Sequence, residues 1–134
     1  MIMNKVFVDS NIILYLMDSD NTKRSIAQQI LLSKPYISPQ VLTEVGNVCK
    51  RRFKFTKSQV LDLWADLLND CILVPTSSST FSKAISISKK YDFQIFDSLI
   101  VASALDSECV TLYSEDMQHQ MLVEKALTII NPFV

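Results

Sequence analysis

Four acidic residues stand out by where they fall against the apolar pattern. Asp9 directly follows the β-prone run Lys5-Val6-Phe7-Val8, and Asp116 lies three residues beyond a second such run that ends at Tyr113. Glu44 comes three residues after Val41 and four before Val48, so helical geometry sets its carboxylate on the stripe of two core-type valines, a face that a solvated glutamate usually avoids. Asp97 is embedded between Ile95-Phe96 and Ser98-Leu99-Ile100. Singly, each has an ordinary explanation: loops carry acids freely, and the helix dipole favours an acid in a first helical turn. Gathered at one place they would be costly, because two carboxylates about 5 Å apart repel by roughly 3 kcal/mol at an effective dielectric near 20. No lysine, arginine or histidine adjoins any of the four in sequence. Such a cluster calls for a hard divalent cation, Mg²⁺ or Mn²⁺. These take oxygen ligands and serve phosphodiester hydrolysis by activating water and stabilising developing charge. Zinc fits poorly, since three widely spaced cysteines and one histidine supply no ligand set.

Elements must bring the four acids to one rim. Strands are expected at Lys5–Val8, Tyr36–Ser38, Cys71–Val74, Val110–Tyr113 and Thr128–Ile130, each short and bounded by breakers. Between them lie helical patterns. One starts at Asn11 and is stopped by Asp18-Ser19-Asp20-Asn21, and another runs from Thr22 to Leu32 until Lys34-Pro35. Ser38-Pro39 opens a helix carrying Val41, Leu42, Val45, Val48 and Cys49 on one stripe. Thr56 and Gln59 form a capping-box pattern ahead of Val60, Leu61, Trp64, Leu67 and Leu68. The Trp64 and Leu68 stripe reads first as core, with a partner contact as the alternative. Ser77 to Ser79 cap a helix with Phe81, Ala84 and Ile85, and Phe96–Leu105 reads as a helix apolar on nearly every side, hence central. Strands alternating with helices imply parallel pairing and right-handed crossovers. The expectation is a single α/β domain over residues 1–134, an α/β/α sandwich on a central, mainly parallel sheet of four to five short strands. In such sheets ligands bind beyond the carboxyl ends of the strands, where Asp9 and Asp116 fall and where both acid-bearing helices begin.

Composition narrows the function classes. At 134 residues, 49% hydrophobic and 20% charged, the chain can bury a real core and is not disordered. A net charge of −1 provides no global field for nucleic acid, so any such binding must be local. Lys50, Arg51, Arg52, Lys54 and Lys57 form the densest basic run, downstream of Glu44. It reads equally as a solvated helix end favoured by the dipole and as a phosphate-contacting patch. The odd number of spaced cysteines points to reduced, buried thiols. No apolar run is long enough for a membrane helix and no secretion signal is evident, so a cytoplasmic protein with no membrane contact is expected. His119, the single histidine, reads as a solvated loop residue.

The acids also sit in a recognisable order. Phe7-Val8-Asp9-Ser10-Asn11-Ile12-Ile13-Leu14-Tyr15 resembles the opening motif of PIN-domain nucleases, Thr43-Glu44-Val45 the second, Phe96-Asp97-Ser98-Leu99-Ile100-Val101-Ala102-Ser103-Ala104-Leu105 the third, and Leu112-Tyr113-Ser114-Glu115-Asp116-Met117-Gln118-His119 the fourth. Each alone is modest; the ordered set across nearly the whole chain is specific. At this length the chain is similar to VapC-type toxins of type II toxin–antitoxin pairs. The resemblance implies a metal-dependent endoribonuclease in which Asp9, Glu44, Asp97 and Asp116 hold one or two Mg²⁺ or Mn²⁺ ions, with Asn11 and Ser114 in support. It also implies an RNA substrate, a small cognate antitoxin and a homodimer. Glu108 and Gln120 stand where many relatives have glycine, which bears on the loop geometry near Asp116. The alternatives are a housekeeping PIN endonuclease without an antitoxin and a catalytically silent PIN-like binding module. A receiver-like signalling domain would want an aspartate after the third strand, where Val74-Pro75-Thr76 stands.

Overall fold

The computed structural model describes residues 4–134, so the first three residues of the expected domain lie outside the described residues. The chain runs β1 (Val6–Val8), α1 (Ser10–Leu14), a short 3₁₀ turn (Tyr15–Met17), α2 (Asn21–Leu32), β2 (Tyr36–Ile37), α3 (Pro39–Arg51) and α4 (Lys57–Asp70). It continues through β3 (Ile72–Leu73), α5 (Ser78–Tyr91), α6 (Ile95–Asp106), β4 (Thr111–Tyr113), β5 (Leu122–Val123) and β6 (Leu127–Ile130). The strands form one sheet in the order β3-β2-β1-β4-β6-β5, parallel throughout except where β5 meets β6. This is a mixed α/β architecture on a central, mostly parallel sheet. From β1 the chain steps outward through β2 to β3, then crosses back to place β4 on the other side of β1. The crevice between the carboxyl ends of β1 and β4 is therefore the switch point of the sheet, the place such folds bind ligands.

Right-handed crossovers that leave β1 in opposite directions set helices on both faces of a parallel sheet. Helix α1 packs on α3 and α3 on α4, while α5 and α6 pack on each other. The core is built from Phe7, Val8, Ile12, Ile37, Val41, Val45, Ile100, Val101, Leu112 and Ile129, all buried. Five buried residues in α6 run consecutively from Ile100 to Ala104, in keeping with a helix expected to be central, although its first residues Ile95 and Phe96 are exposed. All three cysteines are buried and free.

The capping signals act largely as the sequence indicates. Thr56 and Gln59 make both bonds of a capping box at α4, and Ser77 with Thr80 does so at α5. Ser38 occupies the N-cap of α3 but its hydroxyl is buried without a partner; its backbone carbonyl accepts from the Val41 N–H at 3.0 Å, the donor the hydroxyl would otherwise take. Trp64 lies between α3 and α4, with its Nε1–H donating to the Leu42 carbonyl at 2.8 Å. Its ring rests so close to Gly46 that an added Cβ there would meet it at 3.0 Å, so the lone glycine is the seat of that indole. Leu68 is exposed instead of sharing the packing.

The sheet has six strands where four or five are expected. The additional one, β5, pairs antiparallel with β6 across a turn in which Glu124 and Lys125 both adopt positive φ, 51° and 55°. That is the geometry usually given to Asn-Gly or Asp-Gly, so the turn has no composition signal. Strand β3 is an edge strand whose Ile72 and Leu73 are exposed, not a buried one.

Candidate active site

Register places the first pair of site residues. Val8 of β1 lies opposite Tyr113 of β4, so the next residues, Asp9 and Ser114, leave the sheet side by side at the switch point. The Asp9 N–H donates to the Tyr113 carbonyl at 3.0 Å, and the Ser114 hydroxyl donates to Asp9 Oδ2 at 2.9 Å. Asp9 is also the N-cap of α1, its Oδ1 accepting from the Ser10 N–H at 2.8 Å. It is nevertheless almost wholly buried, and burial pushes its carboxyl up to about 6 against the pull of the Ser114 and Ser10 hydrogen bonds, with the charges of Glu44 and Asp97 adding to the rise.

Asn11, one residue into α1, knits the loop after β4 to this point. Its Nδ2 donates to Asp116 Oδ2 at 3.0 Å and reaches Asp9 Oδ2 at 3.4 Å, while its Oδ1 accepts the Glu115 N–H at 3.1 Å. Asp116 itself is exposed. Glu44 enters from α3, half-buried as its stripe position implies, and is gripped at both oxygens. Ser10 Oγ donates to Oε2 at 2.6 Å, and Gln40 Nε2, one turn earlier on α3, donates to Oε1 at 2.9 Å. The same Gln40 nitrogen donates to the Phe96 carbonyl at 3.1 Å, tying α3 to the start of α6, where Asp97 occupies the first turn. Burial raises the Asp97 carboxyl above its ordinary range, and the neighbouring Asp116 and Glu44 raise it further. Repulsion, the expected cause, is therefore second to desolvation here.

The four acids and their two supporting residues thus share one rim. Ser10 and Gln40 join them; only the second had a sequence signal beyond adjacency, its i,i+4 spacing from Glu44. None of the four acids enters an ion pair among the described residues, whose salt bridges involve Glu115, Asp106 and Glu124 instead. No three acidic, histidine or cysteine side chains among the described residues stand close enough to form a ready-made cage; neutral donors from Ser10, Asn11 and Ser114 bond to Glu44, Asp116 and Asp9. The donor set is all oxygen, and burial with like charge nearby raises the carboxyls of Asp9 and Asp97, which is the chemistry that fits a hard divalent cation.

Of the basic run, Arg52 reaches this region. It lines a cleft that also includes Asn11 and Asp116, with its guanidinium 5.1 Å from the Phe53 ring centre. Lys50, Arg51 and Lys54 are exposed outside that cleft. Glu115 is pinned by the Tyr15 hydroxyl at 2.6 and 2.8 Å and by Lys23 Nζ at 3.3 Å, and Tyr15 in turn meets Phe133 edge-on at 4.7 Å. His119 stands apart, its Nδ1 accepting from the Asn131 N–H at 2.9 Å, as befits a loop residue.

The model of the PIN domain family matches residues 6–122, a span that contains every acid of the site. The chain belongs to the PIN domain family. Solved structures agree on the fold. A toxin–antitoxin complex from Klebsiella pneumoniae is 17% identical, with 96% of this chain and 98% of that chain covered at a TM-score of 0.72. VapC20 of Mycobacterium tuberculosis, described as a toxin that cleaves the sarcin–ricin loop, is 18% identical over 84% of this chain and 90% of that one, with a TM-score of 0.68. FitAcB from Neisseria gonorrhoeae is 14% identical over 96% and 98%, with a TM-score of 0.66. No curated protein matches the chain by sequence. The PIN domain match ends at Leu122, the first residue of β5.

Proposed function

We propose that this PIN domain is a Mg²⁺- or Mn²⁺-dependent endoribonuclease, acting in the cytoplasm as the toxin of a toxin–antitoxin pair, with the whole chain forming one nuclease domain. The observation that carries the reading is the set of four coupled acids at the switch point, one of them buried with its carboxyl near 6 and none of them ion-paired. Asp9, Glu44, Asp97 and Asp116 would hold one or two ions. When bound, the metal supplies charge for the scissile phosphate and an activated water. The chain's own part is orientation. Ser114 and the Ser10 N–H fix Asp9, Ser10 and Gln40 fix Glu44, and Asn11 holds Asp116. Arg52, with Lys50, Arg51 and Lys54 beside it, would hold backbone phosphates of the RNA. Replacing Arg51, Arg52 and Lys54 by glutamine is expected to flatten the salt dependence of RNA binding by about one unit of slope per lost contact.

The toxin reading is supported by the fold neighbours, two of which are described as a toxin or a toxin–antitoxin complex. A small antitoxin is the expected partner. A homodimer is supported by the exposed apolar residues Phe81, Ile85, Ile95 and Phe96, which border a cleft of about 340 Å³ between α5 and α6. No helix among the described residues is long and apolar enough to cross a membrane. Cleavage of purified RNA with Mg²⁺ or Mn²⁺, and its loss in excess chelator, tests the reaction; cleavage that persists in chelator would overturn the metal mechanism. Sequencing RNA ends after brief induction identifies the substrate. Harmless expression without a partner, together with an active monomer, would replace the toxin by a housekeeping nuclease.

A further inference from the structure

The cleft beside the four acids has a volume of about 320 Å³ and a mixed lining. Leu14 and Tyr15 come from α1 and its 3₁₀ extension, and Val48 and Phe53 from the end of α3 and the turn beyond it, giving apolar and aromatic surface. The polar lining is mostly acceptor: the carboxylates of Asp18 and Glu115 stand there, against the single guanidinium of Arg52. Asn11 and Asp116, joined by their 3.0 Å hydrogen bond, belong to this cleft and to the acid site at once. Whatever fills the cleft therefore sits next to the acid site, where on the endoribonuclease reading the scissile phosphate would lie against the metal.

These features select an occupant. A phosphate group would meet more negative than positive charge. A neutral flat group with an apolar face and donors along its edge meets aromatic carbon and carboxylate oxygen, the two things it needs. Unpaired RNA bases are recognised in this way, by stacking on aromatic side chains and by hydrogen bonds to their Watson–Crick edges. Among the bases, guanine presents adjacent donors, N1–H and the N2 amino group, which suit a carboxylate. Uracil presents two carbonyls about one N–H and would face acceptor against acceptor. Glu115 is well placed for the task because the Tyr15 hydroxyl and Lys23 hold its carboxylate in place while leaving it lone pairs to spare.

We infer that this cleft is a nucleobase subsite for an unpaired guanine next to the scissile phosphate, with Phe53 and Tyr15 as its aromatic surface and Glu115 as its edge acceptor. The inference deepens the endoribonuclease reading and rests on it. The test uses the full chain carrying Asp97→Asn, so that nothing is cut, and labelled single-stranded RNA hexamers that differ at one position. Fluorescence anisotropy in Mg²⁺ is expected to show the guanine hexamer bound about tenfold more tightly than the uracil one. Phe53→Leu, which keeps apolar bulk but no ring, should lower affinity for the guanine hexamer several-fold, and Glu115→Gln should narrow the guanine-to-uracil ratio toward one. A Mn²⁺-induced melting shift in an otherwise unaltered chain carrying Phe53→Leu that equals that of the unaltered protein shows that any such loss comes from the cleft and not from a damaged acid site. Equal affinity for all hexamers overturns the subsite. So does a Phe53→Leu change that leaves RNA binding intact while abolishing binding of an arginine-bearing peptide, which would assign the cleft to a protein partner. If guanine is preferred but the unaltered chain cuts no RNA in Mg²⁺ or Mn²⁺, the subsite stands and the nuclease reading falls; if it cuts with no base preference, the subsite alone falls.

Discussion

Asp97 accepts no hydrogen bond among the described residues, unlike Asp9, Glu44 and Asp116, so its carboxylate meets burial and like charge with nothing to offset them except the first turn of α6. Asp97→Asn keeps the volume and removes that charge. Cleavage is expected to be lost while the metal-free protein melts at a higher temperature than the unaltered chain. Mn²⁺ at about 100 times its dissociation constant adds roughly 2.7 kcal/mol to the folded unaltered protein, and the variant should gain much less. Equal metal shifts in the two, or a variant that melts lower without metal, would reduce Asp97 to a helix-start residue. Asp9 predicts the pH response. Its folded value, about 6 against an ordinary 3.8, favours the protonated carboxyl in the folded state. The stability this gives is full below about pH 4 and is lost as pH rises through about 6, an effect on the order of 3 kcal/mol. Metal-free protein should therefore melt lower at pH 7.5 than at pH 5, with Mn²⁺ restoring the difference; a flat profile in chelator would contradict the buried, uncompensated Asp9. Asp9, Glu44 and Asp97 are legible in the sequence because each interrupts or ends an apolar run, and Asp116 because it follows closely on a strand end. Ser10 and Gln40 are less so, since their roles depend on which helix faces which, and only the folded crossing of α1, α3 and α6 supplies that.

At the scale of elements, the chain does without glycine where its turns ask for it. Glu108, after α6, has φ 60°, and Gln120, in the loop beyond Asp116, has φ 69°. Both are positions where glycine is common in the family the chain resembles, and both keep the left-handed backbone with a side chain attached. A Cβ in that region costs about 1–2 kcal/mol, and glycine gives back about 0.4–1 through the unfolded state. Glu108→Gly should therefore raise the melting temperature by a few degrees, as a thermal scan would register; a fall would mean the glutamate makes a contact worth more than its strain. The same substitution of glycine by longer residues explains what the sequence conceals. The Glu124-Lys125 turn bends like a glycine turn but reads as a charged loop, so the two residues of β5 have no hairpin signal beside them. Where chemistry and geometry agree, as in the Thr56–Gln59 cap, the helix start is legible to the residue, while the start of α5 is legible only to within the Ser77–Ser79 run.

For the molecule as a whole, the alternation of strand and helix is enough to give a parallel sheet, and the switch point follows from the topology; the exposed face of α5 and α6 is not foreseen by any local pattern. Phe81 and Ile85 fall on the expected helical stripe of α5, yet at 53% and 58% exposure they face outward, along with Ile95 and Phe96. Ile85→Glu should turn a dimer into a monomer in solution without lowering the Mn²⁺-induced melting shift, and size-exclusion with light scattering would show it. An unaffected dimer would place the interface elsewhere.

The strand order has a further consequence, for the making of the chain. Strand β4 is inserted beside β1, but it is followed by Asp116 and comes after more than a hundred residues of sequence, whereas β1, β2 and β3 can assemble in the order they are synthesised. Chains emerge at about 5–20 residues per second and fold from the amino end. Through most of that interval β1 has an open edge and Asp9 has neither Ser114 nor Asp116 beside it. The acid rim therefore cannot close until β4 and the loop after it have been made, and a partial chain carries Asp9, Glu44 and Asp97 without the strand pairing and hydrogen bonds that bring Asp116 to them.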